Sequence, residues 1–252
     1  MSGAIEKTVK INSKKLSKAI TIGCTIPKQI DKLLILLHGY DGTYAAMKNN
    51  LSLDSYAAEH NLLIVIPDMD NDYYIDRENH SVSGFIAEEL VQCLYEEFSL
   101  PRDIDIILGG CSMGGYGSLL IGARYPNLFK KIICISAAFI QQDVAIGNPE
   151  VVGVHQNKEV MKYFEETFGP FSTLENSVRR NPMAAITHIK NEDRKPQVIV
   201  TCGTDDMLYI RNKKAVQHIR KNGLECDIYL IENGLHDYDC FKEGLNYALN
   251  KL

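Results

Sequence analysis

The chain has 252 residues, 45% of them hydrophobic and 23% charged, with a net charge of −5. That is apolar material enough for a sizeable core, and the acidic balance argues against a nucleic-acid or anionic-membrane partner. No stretch has the length and apolarity of a signal peptide or a membrane span, so a cytoplasmic protein is expected.

In chain order, residues 9–11 and 19–24 read as an antiparallel pair at a sheet edge. Residues 33–37 are a continuous apolar run ending in His38-Gly39, and residues 62–66 are a second ending in Pro67-Asp68. The spacing predicts a helix over 83–98, with Phe85, Ile86, Leu90, Leu94 and Phe98 on one face. Residues 104–108 lead into Gly109-Gly110 and a helix over 115–125, and residues 131–135 stop at Ser136. Residues 198–200 lead to Cys202-Gly203 and a helix over 211–221. Residues 226–231 are the last such run, and 238–251 the last helix. Runs this apolar, stopped by glycine or proline, suit parallel strands buried on both faces. Their alternation with helices predicts an α/β fold, a mostly parallel central sheet flanked by helices with right-handed crossovers.

Residues 139–189 break this rhythm. They hold Gly147-Asn148-Pro149, Gly169-Pro170 and Asn181-Pro182, with a helical pattern over 159–168. The segment is too short and too poor in apolar periodicity for a core of its own. It is expected to be a lid-like excursion over the carboxyl edge of the sheet, within a single domain spanning 1–252. The seven cysteines are odd in number and form no C-x-x-C. Cys24, Cys134, Cys202 and Cys226 lie in or beside apolar runs, so buried free thiols are expected, with no metal site.

Gly110-Cys111-Ser112-Met113-Gly114 stands between a predicted strand and a predicted helix. A serine hydroxyl is a poor nucleophile unless it is held out beside a base, and a G-x-S-x-G corner does that holding. The bland reading is a glycine-rich turn that happens to contain a serine. The residues after the last two strands decide between the two readings: Thr204-Asp205-Asp206 after one strand, Glu232-Asn233-Gly234-Leu235-His236 after the other. A carboxylate and a histidine thus join Ser112 at the carboxyl edge, in the order Ser, Asp, His. His236 is the expected proton shuttle and the carboxylate its orienting partner. Asp205 and Asp206 stay alternatives on the residues alone, and one of the two is expected to be only a helix N-cap.

Acyl transfer also needs backbone N–H groups aimed at the developing oxyanion. Met113, after the nucleophile, supplies one candidate, and Tyr40, in the loop after residues 33–37, supplies the other. His38 then reads as a support, and His60, His80, His155, His188 and His218 as mostly solvated. Cys111 is expected to pack inward. The loop of Asn71-Asp72-Tyr73-Tyr74-Ile75-Asp76 is either a polar turn with packed tyrosines or a substrate-binding element through Tyr73 and Tyr74.

These residues together resemble the esterase D family of α/β-hydrolases, and within it the tributyrin-esterase-like carboxylesterases. The resemblance runs from about residue 33 to the end. It is carried by Leu36-Leu37-His38-Gly39-Tyr40-Asp41-Gly42, by Val65-Ile66-Pro67-Asp68 and by Ser112-Met113-Gly114-Gly115-Tyr116-Gly117. Cys202-Gly203-Thr204-Asp205-Asp206 and Gly234-Leu235-His236 complete it. The resemblance implies an α/β-hydrolase fold and a Ser-Asp-His triad, and it selects Asp206 as the acid. It also implies short-chain acyl esters as substrates. The expected activity is a serine carboxylesterase working through an acyl-enzyme, on a small-molecule ester, with no cofactor. An acyltransferase or an S-formylglutathione-hydrolase-like thioesterase on the same triad is the alternative. A catalytically idle binding protein would show a broken triad or elbow, and neither is broken. A homo-oligomer stays open.

Overall fold

The central strands are apolar along most of their length because both faces of the sheet are covered there. The computed structural model describes residues 3–146, 158–189 and 194–252. Its strands are β1 (Ile5–Ser13), β2 (Lys18–Ile26), β3 (Lys32–Leu37), β4 (Leu62–Pro67), β5 (Asp105–Cys111), β6 (Lys131–Ile135), β7 (Gln197–Gly203) and β8 (Cys226–Ile231). They make one sheet in the order β1-β2-β4-β3-β5-β6-β7-β8. β2 pairs antiparallel with β1 and with β4, and the other neighbours pair in parallel. Along β3 the side chains alternate as the pleat requires: Leu33, Ile35 and Leu37 enter one core and Leu34 and Leu36 the other.

The helices are α1 (Tyr44–Leu51), α2 (Leu53–His60), α3 (Val82–Gly84, a π turn Phe85–Leu90, then Val91–Glu97) and α4 (Met113–Arg124). They continue with α5 (Gln141–Ala145), α6 (Lys158–Phe168), α7 (Pro182–His188), α8 (Tyr209–Lys221) and α9 (Tyr238–Leu249). α1, α2 and α9 bury their apolar residues on the Leu34 face, and α3, α4 and α8 on the Leu33 face. No helix among the described residues is long and apolar enough to cross a membrane.

The helices α1 and α2 are not legible in the sequence. Each is eight residues long, and they are split by Ser52, whose φ of 58° ends one helix and starts the next. Their buried residues, Tyr44, Met47 and Leu51, then Leu53, Tyr56 and Ala57, are too few per segment to show a helical period.

The topology fixes where a site can open. From β3 the chain moves to β4 on one side, and the crossover through α3 then carries it past β3 to β5 on the other. Connections therefore diverge between the carboxyl ends of β3 and β5, the switch point at which open α/β sheets bind ligands. The register sets Leu37 opposite Gly110, two residues before Ser112.

The described part of the excursion packs over α4. Phe164 and Phe168 of α6 are buried, and the Phe168 ring lies 4.7 Å from that of Tyr73 and 5.8 Å from that of Tyr116. Arg180 closes the segment on itself: its guanidinium donates to the carbonyls of Phe168 (2.6 Å), Gly169 and Pro170 and to Thr173 Oγ1 (2.6 Å). The Tyr116 hydroxyl donates to the Arg180 carbonyl, and Asn181 caps α7 through Met183 N at 3.0 Å. Covered by the sheet below and the excursion above, α4 buries all its residues except Arg124. Gly147-Asn148-Pro149 and His155 lie outside the described residues.

Replacing Arg180 by Met leaves three carbonyls without their shared donor. The expected loss is about 1–3 kcal/mol, read as a lower denaturation midpoint, with cleavage by a protease appearing first between α6 and α7.

Candidate active site

Ser112 joins β5 to α4 with φ 53° and ψ −114°, a conformation costly for a residue with a side chain. The backbone around it leaves no alternative. A Cβ on Gly110 would stand 2.3 Å from the Gly114 carbonyl, and one on Gly114 would stand 2.0 Å from the Leu37 carbonyl oxygen. The two glycines let strand, corner and helix meet main chain to main chain. Ser112 is then pinned from β6, its N–H donating to Ile135 O at 2.9 Å and its carbonyl accepting from Ala138 N at 2.9 Å.

A second close approach brings in the acid and the base. A Cβ on Gly203 would stand 2.0 Å from the Gly234 carbonyl oxygen, so the loops after β7 and β8 touch directly. Asp205 N donates to Gly234 O at 3.0 Å and Asn233 N to Thr204 Oγ1 at 2.8 Å. The result is a continuous chain of contacts: Asp206 Oδ2 lies 2.8 Å from His236 Nδ1, and His236 Nε2 lies 3.0 Å from Ser112 Oγ. The Asp206 side chain is fully buried and that of His236 is 22% exposed. Burial pushes the Asp206 carboxyl up. The His236 hydrogen bond and charge, the Leu208 N–H on Oδ1 (2.7 Å) and the Ser136 hydroxyl outweigh it, and the group ends below the usual carboxylate range. Phe241 meets the His236 ring edge to face at 5.0 Å, which fixes its plane.

The loop after β3 passes at van der Waals contact with the corner, a Cβ on Gly39 reaching 3.5 Å from Ser112 Cβ. His38 is buried and fully engaged. Its Nδ1–H donates to Gly39 O at 2.7 Å, which leaves Nε2 to accept from Met69 N at 2.9 Å. Asp41 N donates to Asn71 Oδ1 at 2.8 Å, so the next loop along holds this one. Tyr40 stands between these two anchored residues, His38 and Asp41, and Met113 heads α4 directly after Ser112.

The family model described as "Putative esterase" matches residues 13–252. The chain belongs to that esterase family. A curated relative, an acetyl esterase of Caldicellulosiruptor saccharolyticus, is 28% identical over 257 residues, covering 95% of each chain. Two Staphylococcus aureus structures share the fold, each at TM-score 0.83 and 21% identity over 98% of both chains. One is the fluorophosphonate-binding serine hydrolase FphF with substrate bound, and the other is the apoenzyme of the S-formylglutathione hydrolase FrmB. The protein is thus an α/β-hydrolase and a carboxylic ester hydrolase.

In this esterase Asp205 is exposed and caps nothing, because α8 begins at Tyr209 behind Leu208. Asp206 instead binds both His236 and the Leu208 amide, so the division into one acid and one cap does not hold. Tyr74 has no exposed surface, and its hydroxyl donates to His38 O at 3.0 Å. Tyr73 keeps 7% of its surface, between Tyr116 and Phe168. Tyr74 supports the loop after β3 from behind and Tyr73 packs between α4 and α6, so the substrate-contact expectation gives way to that packing. Cys111 is buried, and burial pushes its thiol far above the ordinary range. His188 is exposed as expected, but His218 Nε2 donates to Met183 O at 3.0 Å and His80 lies 3.5 Å from Asp72. Among the described residues only Asp70, Asp72 and His80 group closely enough for a cation, and Asp70 is already paired with Lys18.

Two supports leave little mark in the sequence. Ser136, fully buried with φ 44° just after β6, donates its hydroxyl to Cys202 Sγ at 3.9 Å and lies near enough to Asp206 to help hold that carboxyl low. Asn212 of α8, also buried, donates to Ala137 O and Leu208 O (3.0 Å each) and accepts from Ala137 N at 3.2 Å. A polar residue on the inward face of an otherwise apolar helix is the one available signal for Asn212.

Ser136→Ala removes a buried hydroxyl whose nearness helps hold the Asp206 carboxyl low. Ester hydrolysis is expected to lose roughly 2- to 10-fold in kcat with KM nearly constant, the size of one modest polar interaction of about 0.5–1.5 kcal/mol. Steady-state kinetics on a simple acetate ester read it.

Proposed function

We propose that Ser112, His236 and Asp206 form the catalytic triad of this esterase and that its substrates are short-chain acyl esters. The observation that carries the reading is the unbroken hydrogen-bond line from Ser112 Oγ through His236 to Asp206. Ser112 attacks the acyl carbon as His236 Nε2 takes its proton. The Met113 and Tyr40 amides hold the oxyanion, and His236 returns the proton to the departing alkoxide. Water then repeats the sequence on the acyl-enzyme. Asp206, ionised and fixed by its donors, holds Nδ1–H and stabilises the imidazolium.

The acetyl esterase relative supports a short acyl group. A thioester substrate, like that in the name of FrmB, would use the same steps with a thiolate leaving. That likeness is one of fold, so the ester reading stands first. An acyltransferase differs only in which hydroxyl accepts the acyl group. All seven cysteines are free, which supports work in a reducing compartment, the cytoplasm. The 139–189 segment acts as a lid-like part of the same domain, with Tyr163 lying edge-on to Tyr40 at 5.9 Å.

Ser112→Ala is expected to lower hydrolysis of p-nitrophenyl acetate at least 10⁴-fold and to abolish labelling by a fluorophosphonate probe, with circular dichroism unchanged. Asp206→Asn is expected to cost on the order of 10³–10⁴ in kcat, against less than about threefold for the exposed Asp205→Asn; the reverse ranking overturns the choice of acid. Because the Asp206 carboxyl lies below the usual range, it stays ionised until the pH falls beneath that lowered value. The acid limb of log kcat/KM should therefore carry no step from Asp206 and be no steeper than one above about pH 4. A slope of two above about pH 4, where an ordinary carboxyl titrates, counts against the pair.

A further inference from the structure

Three of the exposed large apolar side chains belong to the segments that carry Asp206 and His236. Leu235, next to His236, keeps 55% of its surface in solvent, Met207, next to Asp206, keeps 64%, and Ile210 in the first turn of α8 keeps 55%. They are not scattered, because the loops that carry Leu235 and Met207 are bonded to each other through Asp205 N, Thr204 N and Asn233 N. An apolar patch with a polar rim, next to a reactive group, is a binding surface. The exposed charges on these two loops, Asp205, Glu232 and Asp237, are acidic, and the cation beside Met207, Arg211, is neutralised by Asp143.

The chemistry says which part of the substrate meets this surface. His236 Nε2 must deliver its proton to the departing oxygen, so the alcohol half of the ester leaves on the His236 side. The oxyanion lies on the opposite side, toward Met113 and Gly39. We propose that Leu235, Met207 and Ile210 form the alcohol subsite of the esterase, and that it takes an uncharged apolar alcohol and rejects one bearing a carboxylate. The subsite rests on Ser112 and His236 acting as proposed above. It also holds an incoming alcohol at the acyl-enzyme stage. The alcohol's hydroxyl proton passes to His236 Nε2 as its oxygen bonds to the acyl carbon. The bond from that carbon to Ser112 Oγ then breaks, and Oγ recovers the proton. The product is a new ester, so an apolar alcohol competes with water there.

The test compares kcat/KM for methyl, butyl and hexyl acetate and for 6-acetoxyhexanoate, which has the hexyl chain length and a terminal carboxylate. Wild-type values are expected to rise about two- to fourfold per methylene as each is partly or fully buried. The 6-acetoxyhexanoate value should fall at least about tenfold below hexyl acetate at low salt, the gap narrowing as salt screens the rim. Met207→Ser combined with Leu235→Ser, and Leu235→Gln alone as a milder change, should flatten the chain-length series, read within each variant as the ratio of hexyl to methyl acetate kcat/KM. With an acetyl donor and 1-hexanol, the yield of hexyl acetate relative to acetate should drop in the same variants. A flat wild-type series, or a steep one that survives in both variants, overturns the subsite. Methyl acetate hydrolysis that persists in Ser112→Ala overturns the triad reading instead, so the two failures are distinct.

Discussion

Main chain touching main chain, with no side chain between, is the constraint on which the site depends. At the corner after β5, Gly110, Gly114 and Leu37 converge so tightly that a methyl group at either glycine would overlap backbone atoms. Between the loops after β7 and β8, Gly203 and Gly234 repeat the arrangement. Backbone atoms cannot move aside as side-chain ends can. Distances set this way are therefore held by the whole sheet rather than by local side-chain choice. The strained φ of Ser112 is tolerated because β3, β5 and β6 fix its surroundings on three sides.

Within that frame, the polar groups that matter are buried and multiply bonded. A carboxylate as deeply enclosed as Asp206 would be costly alone, and it is stabilised by the Leu208 amide just before α8 and by His236 in the loop after β8. Asn212 and His38 have the same character: every polar atom that each presents to the interior has a partner in a neighbouring loop. Surface pairs such as Lys7–Glu97 and Lys130–Asp105 are screened by water and salt and contribute little, and nothing in the site depends on them. The polar energetics of the molecule are concentrated at the carboxyl edge of the sheet.

How much of the fold and site is legible in the sequence depends on the range of the signal. Strands β3 to β8 are legible because each is an unbroken apolar run, and Ser112 and His236 because each comes after such a run at a glycine. Asp205 and Asp206 are not separable by residue type. What separates them is that one faces His236 across the Gly203–Gly234 contact and the other faces water, which only the fold decides. Tyr73 and Tyr74 mislead for the same reason: tyrosine suits a pocket wall and a packed interior equally, and Phe168, far along the chain, determines which. Ser136 and Asn212 are hard to pick out locally, since their partners belong to other strands and loops.

The antiparallel edge of the sheet and the opposite edge are not equivalent. The strand β8, which leads to His236, has one neighbour, and most of its residues are only partly buried. Ser112 and His236 are separated by 124 positions in the chain. Fraying of β8 and α9 therefore displaces His236 while the interior strands, and Ser112 between them, keep their positions. On the proposed mechanism, heat silences this enzyme before it melts it, leaving a folded protein whose serine is in place but has nowhere to send its proton.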